Sequence, residues 1–535
     1  MANHEELPSE VDVVVIGTGM QESILAAACA RAGLSVLHID RNPFYGGSWG
    51  SSFHFRNIED WIQSAKSIIK ELPCAYEPQE DEEVVPAAGS QSTIRNVALS
   101  SNVAMDEDLE EKENTTLKVL QWRKFSIDLV PKLLLSDGPM VKILRQSEAS
   151  RYCEFQYVDR FLCADSDAAV MPLKIARVPC SKNEIAFSSI LTSMEKRMLQ
   201  KFLQFCMTWK AKREEVAAAF PNFKWEAHQQ KPFSEFLASL KIKGTLKNII
   251  CEVIAVLNED ANTVDALEAV CTFLKSLGRM NNVPTPFLYT CYGSSELQQG
   301  FNRLCAVYGG VYCLDRPCEA FIINKATRKC SAIISRGQKI TCKHVITSQD
   351  YIHEIEGEVE EVAMKRCILL TDGSIQAPVD EHISFLNLRR LNRECELRLI
   401  ETGYKANVTP KGFQFVQLTS EGGTRSAVGD PFTPIFERLF RSDGNVAEGD
   451  ERPRIWWSLN FDVVQRRFEV PAENIAVVPA PDSSLDFGSV VSSAEAIFAR
   501  YWPDLDFLPR RAHQVREEFE EYEEEAAVRE EIEAS

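Results

Sequence analysis

Gly17-Thr18-Gly19, directly after the apolar run Val13-Val14-Val15-Ile16, has the residue types that hold a phosphate through backbone alone. In a working dinucleotide site the first glycine permits a tight turn and the second lets the backbone approach a pyrophosphate. A third glycine, three residues on, lets helix and strand pack closely. Here Glu22 stands third. A carboxylate in the first helical turn suits the helix dipole but repels a pyrophosphate that needs the same amides. The fold signal survives and the cofactor signal weakens, so the degenerate fingerprint Gly17, Gly19, Glu22 is expected to bind no cofactor. Asp40 stands where a dinucleotide enzyme would hold a ribose and, without the third glycine, reads as structural.

The elements that place these residues are an apolar strand, an alanine-rich helix over 23–32 and the strand Val36-Leu37-His38-Ile39, together a βαβ unit. The unit and its continuation fill residues 1 to about 72. From 76 to 116 acidic and small polar residues take over and aromatics vanish after Tyr76, which marks a flexible acidic insertion. Residues 122–129 read as a strand, and Met140-Val141-Lys142-Ile143-Leu144 has helical spacing. Between 183 and 277 helix dominates, with Met194, Met198, Leu199, Phe202, Phe205 and Cys206 recurring every three or four positions. Strand patterns return at 320–323, 332–334, 343–347, 413–418 and 455–459. The expected architecture is a discontinuous α/β domain of residues 1–182 and 278–535, with a smaller all-α domain, 183–277, inserted. The stretch 517–535 reads as an acidic tail, solvated as helix or disordered.

The 535 residues carry 59 Lys plus Arg against 78 Asp plus Glu, a net charge of −19 that disfavours nucleic acid and anionic membranes. Proteins are the expected partners. The sixteen cysteines include no Cys-x-x-Cys pair and follow no secretory signal, so they read as reduced core residues. Residues 249–254 are interrupted by charge well short of a span, and a soluble, cytosolic protein is expected. No cysteine stands four from the end, so the chain is not expected to be prenylated itself. The eight histidines form no metal-binding pair, and neither a Gly-x-Ser-x-Gly nor a P-loop motif occurs. No catalytic or metal-binding residue is assigned.

Three segments then carry a specific likeness: Leu7-Pro8-Ser9-Glu10-Val11-Asp12 running into the Gly-x-Gly turn, Asp40-Arg41-Asn42-Pro43-Phe44-Tyr45-Gly46-Gly47-Ser48-Trp49, and Tyr292-Gly293-Ser294-Ser295-Glu296-Leu297-Gln298-Gln299-Gly300-Phe301. Together with 123–132, 308–314 and 328–334 they resemble the superfamily of Rab GDP-dissociation inhibitors and Rab escort proteins. The Leu-Pro-Ser-Glu start, the insertion before Trp122, Arg328-Lys329-Cys330 and the long C-terminal region favour the escort branch.

The resemblance implies an FAD/NAD(P)-binding-like fold related to flavin monooxygenases, put to use in binding GTPases. It implies no cofactor and no chemistry of the chain's own. Matched by motif, the Rab-binding residues are Tyr45, Glu296 and Arg303, with Val311 and Cys313 nearby. Ser294-Ser295 and Gln298 depart from the family pattern and leave that loop less constrained. Phe205 and Arg213 are the residues implied for docking Rab geranylgeranyltransferase, although spacing alone places Phe202 and Phe205 in a core. The implied partners are GDP-bound Rab GTPases, the α/β heterodimer of the transferase and the geranylgeranyl lipid on Rab. Membrane contact would be transient, and nucleic acid plays no part. Two other readings remain: a recycling inhibitor, which extracts prenylated Rab without supporting the transferase, and an FAD-dependent oxidoreductase, which would be yellow.

Overall fold

The computed structural model describes residues 6–50, 52–67, 71–89, 93–105, 118–120, 122–164, 173–180, 184, 191–209, 228–257, 261–279, 283–353, 361–376, 382–388, 397–421, 430–441, 450–466 and 468–510. Val13, Val14, Val15 and Ile16 are all fully buried in β1 (Glu10–Ile16), as a strand covered on both faces must be. Helix α1 (Met20–Arg31) is buried along its whole length, and its run of alanines lets it lie close against the sheet. It leads to β2 (Val36–Ile39), parallel to β1 with Val13 opposite Val36.

The remaining strands of the first half are β3 (Glu82–Pro86), β4 (Ile94–Ser101), β5 (Val103–Met105), β6 (Lys118–Leu120), β7 (Leu134–Leu135), β8 (Phe155–Tyr157), β9 (Arg160–Ala164) and β10 (Ile175–Arg177). The second half adds β11 (Phe287–Thr290), β12 (Val311–Cys313), β13 (Ala320–Asn324), β14 (Cys330–Ser335), β15 (Gln338–Ser348), β16 (Glu361–Thr371), β17 (Ser384–Asn387), β18 (Leu397–Gly403), β19 (Gln414–Glu421), β20 (Ile455–Gln465) and β21 (Ile475–Val478). One sheet runs β12-β2-β1-β15-β14-β13-β3, with β21 also on β15, and a second runs β10-β9-β17-β18-β19-β16-β20-β4. Strands from near the start (β1, β2) and from much later in the sequence (β12–β15, β21) share the first sheet.

Helices α2 (Phe55–Lys66), α3 (Pro139–Ser147), α4 (Ser193–Thr208), α5 (Phe233–Ser239), α6 (Gly244–Asn248), α7 (Thr263–Gly278), α8 (Ser295–Val307), α9 (Thr433–Leu439) and α10 (Gly488–Tyr501) complete the regular structure. Between 183 and 277 every regular element among the described residues is helical, including a π turn at Ile249–Ala255. A capping box opens α4: Thr192 Oγ1 accepts from the Glu195 amide, and the Glu195 carboxylate accepts from the Thr192 amide at 2.9 Å.

Two segments depart from their sequence reading. Residues 76–116 are not simply an insertion. β3 pairs with β13 and β4 with β20, each closing the edge of a large sheet, while 106–117 lie outside the described residues. Edge strands face water on one side and tolerate the polar, charged composition that reads as loop. Residues 122–129 form a 3₁₀ turn at Trp122–Lys124 and an extended stretch with one bridge, Phe53 to Ile127, rather than a strand. Met194, in the first turn of α4, is 74% exposed rather than part of the core. The acidic tail 517–535 lies outside the described residues.

Candidate partner-binding site

The Gly-x-Gly turn is closed from within. Gly17 takes φ +100°, and Thr18 donates to Asp40 Oδ2 from its amide at 2.8 Å and its hydroxyl at 2.7 Å. The other carboxylate oxygen of Asp40 accepts from the Asn42 amide (2.8 Å), Asn42 Nδ2 (2.9 Å) and the Tyr351 hydroxyl (3.2 Å). Asp40 is therefore a structural hub with no lone pair left for a ribose. Glu22 is 3% exposed and folds back over the turn: a Cβ built on Gly19 would stand 2.5 Å from Glu22 Oε2. Burial pushes its carboxyl up to about 8, with Asp40 and Asp350 adding repulsion. The space left beside the turn is about 20 Å³, enough for a water and not for a pyrophosphate. The residues present do not fit a dinucleotide.

Thr18 also ties this turn to the next loop, because the Gly46 amide donates to its hydroxyl at 2.9 Å. That bond fixes the chain beside Tyr45, a half-buried residue whose hydroxyl burial pushes above the usual range. Tyr45, Glu296 and Arg303 then line one open cleft of about 360 Å³, joined by Tyr152, Gln299, Gly300, Asn302, Ala306 and Tyr312.

Helix α8 supplies most of these side chains and is held at its start by a buried carboxylate. Asp128 Oδ2 accepts from both the amide and the hydroxyl of Ser294 at 2.8 Å. Gly300 lets the helix approach the segment before β8, since a Cβ there would meet Cys153 Sγ at 3.0 Å. The close approach brings Tyr152 under Arg303, whose guanidinium lies 4.7 Å from the ring centroid. Glu296 is half-buried, and burial together with the nearby Glu154 raises its carboxyl above the ordinary value. Among the described residues neither Glu296 nor Arg303 has an ion-pair partner. Ser294, Ser295 and Gln298 belong to this anchored helix and its entry rather than to a loose loop, and Gln298 is buried against Gly46.

Val311 and Cys313 do not line the cleft. They lie on the edge strand β12, where side chains alternate, and the intervening Tyr312 takes the cleft side. The Tyr312 hydroxyl donates to Asn302 Oδ1 at 3.1 Å, and its ring lies 4.6 Å from that of His38. Cys313 packs against the opposite face of the sheet, and Val311 is 39% exposed. Sequence reasoning missed Tyr152 and Tyr312; the period of two in Val311-Tyr312-Cys313 was the available signal for the second. Phe205 points inward at 3% exposure with its ring 5.8 Å from Phe236, because α4 turns Phe202, Phe205 and Cys206 toward α5 and α7. Its surface is not available for docking in this conformation. Arg213 lies outside the described residues.

The profile of the family described as GDP dissociation inhibitor matches residues 7–66 and 97–431. Rab proteins geranylgeranyltransferase component A 1 of Caenorhabditis elegans is 36% identical, covering 95% of this chain and 96% of its own length. The Homo sapiens protein of the same name is 31% identical over 94% and 92%. A guanosine nucleotide diphosphate dissociation inhibitor of Arabidopsis thaliana is 26% identical over 78% and 81%. Among solved structures, a Rab GDI from Plasmodium falciparum superposes with a TM-score of 0.68 at 21% identity, covering 94% of this chain and all of its own. An oxidoreductase from Methanosarcina mazei follows at 0.52 and 12% identity, covering 91% of this chain and 99% of its own. These two likenesses show the fold.

Proposed function

The chain belongs to the GDP dissociation inhibitor family, and from that premise we propose that it is a Rab escort protein. It captures newly made, GDP-bound Rab GTPases, presents their C-terminal cysteines to the α/β heterodimer of Rab geranylgeranyltransferase, and shelters and delivers the prenylated product. It is the accessory component of that reaction and leaves the prenyl chemistry to the transferase. One observation carries the reading: Tyr45, Glu296 and Arg303 share an open cleft, with neither charge ion-paired among the described residues, on a chain that corresponds along nearly its whole length to component A.

The cleft suits a switch segment. Glu296 and Arg303 offer charge-assisted hydrogen bonds of opposite sense, and Tyr45 adds apolar area with a polar tip. Discrimination for GDP follows from contact with segments whose order depends on the nucleotide. Sheltering a C20 chain is worth on the order of 10 kcal/mol or more, at about 0.8 kcal/mol per CH₂. The helical unit supplies the apolar surface, with Phe202, Phe233, Phe236, Leu267 and Phe273 buried in it. Because Phe202, Phe233 and Phe236 pack ring against ring and Phe273 packs on Phe161 and Phe287, lipid enters by parting these elements rather than by filling an open hole. The reading places the chain in the cytosol with transient membrane contact; no helix among the described residues is long and apolar enough to cross a membrane.

The recycling-inhibitor reading draws on the likeness to Rab GDI, but the Arabidopsis inhibitor covers less of this chain than component A does. Geranylgeranyl transfer to a GDP-bound Rab by the purified heterodimer, measured with and without this chain, separates the two. Transfer that depends on the chain and falls with Arg303→Ala supports the escort role. Tight Rab binding without stimulation moves the chain to the recycling role.

A further inference from the structure

Tyr292 adopts φ +64°, a left-handed conformation that a bulky side chain seldom takes, and Gly293 follows at +109°. The strained backbone is held from three sides. Its amide donates to Ala406 O at 2.8 Å, and its carbonyl accepts from Ser52 Oγ at 3.1 Å and Ser126 Oγ at 2.5 Å. Ser52 is itself left-handed at φ +59° and also meets the Ser295 hydroxyl. All this delivers a ring that is 45% exposed and has no hydrogen-bond or ring partner among the described residues. Packing does not explain an exposed ring, and a glycine would fill the turn without strain. Strain that the surroundings over-determine gathers at ligand clamps and switches.

Its position identifies what the ring meets. Tyr292 stands two residues ahead of Ser294, the N-cap of α8, and four ahead of Glu296, the first cleft residue on that helix. Ser52 joins its carbonyl to Ser295 inside that helix. We propose that Tyr292 is a further anchor of the partner-binding surface, a preset aromatic that packs on an apolar patch of the GTPase next to the segment held by Glu296 and Arg303. The proposal rests on the reading of the cleft as the GTPase platform. A ring already fixed before binding loses little freedom on contact, and an aromatic with a free hydroxyl is common hot-spot chemistry.

The test titrates an unprenylated, GDP-loaded Rab against the full chain and its Tyr292→Gly, Tyr292→Phe and Arg303→Ala variants, with Tm measured for each. Tyr292→Gly is expected to weaken binding about tenfold while its Tm stays at or above the parent's, and Tyr292→Phe to remain close to the parent in both. Parental binding by Tyr292→Gly alongside failure of Arg303→Ala overturns the anchor and leaves the cleft reading standing. A Tm that falls together with binding in Tyr292→Gly also overturns it, because the ring would then be structural. Parental binding by Arg303→Ala overturns the cleft reading and the anchor with it.

Discussion

Arg303 stacks its guanidinium on the ring of Tyr152, 4.7 Å from the centroid, and leaves Glu296, seven residues earlier on the same helix, without a counter-ion among the described residues. An ordinary surface salt-bridge network would have paired charges of this kind. The stacked geometry steadies the long arginine side chain and keeps its donors turned to the cleft. Arg303→Ala is expected to weaken GTPase binding roughly tenfold to hundredfold with Tm unchanged, as for an exposed hot-spot residue. Tyr152→Ala releases the guanidinium and is expected to cost about 0.5–1 kcal/mol of the same affinity. Titration calorimetry reads both.

The buried carboxyl of Glu22 makes stability depend on pH. Its folded value, about 8, lies above the 4.5 of an unfolded chain, so the folded state keeps a proton that the unfolded state releases. The contribution is fully present below about 4.5 and is lost as pH rises to about 8, by up to about 1.4 kcal/mol per unit. Chemical denaturation of Glu22→Gln, which cannot ionise, is expected to show a flatter stability profile between pH 5 and 8 than the parent does. A profile with the parental slope would place the titration elsewhere.

Phe205 behaves as core. Phe205→Ala is expected to cost about 3–5 kcal/mol within the helical unit, visible as an earlier thermal transition, and any loss of transferase stimulation follows that destabilisation. Phe205→Leu keeps most of the buried volume and is expected to retain both stability and stimulation. A stable Phe205→Leu protein that no longer stimulates would instead assign the ring to docking.

Lys132 is a buried cation that fastens the C-terminal segment. Its ammonium donates to Asp482 Oδ1 at 2.6 Å, Asp482 O at 3.1 Å, Ser484 Oγ at 2.7 Å and Ser484 O at 2.5 Å. Lys132→Met strands these acceptors and is expected to destabilise by about 3 kcal/mol. Limited proteolysis should then cut near residues 482–486 sooner than in the parent.

The βαβ unit was legible because strands covered on both faces are continuous apolar runs, and the strands over 320–347 were legible for the same reason. β3 and β4 were not, since an edge strand needs only one buried face and Glu82-Glu83 looks like loop. Within the site, the motif gave Tyr45, Glu296 and Arg303 their common cleft but could not say which side of β12 turns inward. Tyr152 reaches the cleft only because Gly300 admits close packing, a tertiary fact with no local pattern. Tyr292 was hidden differently: nothing in a sequence announces a left-handed tyrosine.

By seating Glu22 where a ligand's phosphate would rest, this domain folds around an occupant encoded in its own chain. A flavoprotein draws part of its stability from a cofactor it must find, in proportion to the concentration available. Here the Glu22 side chain stands in that space instead. The turn is therefore packed as soon as the chain folds, with the Glu22 side chain filling the space beside Gly19.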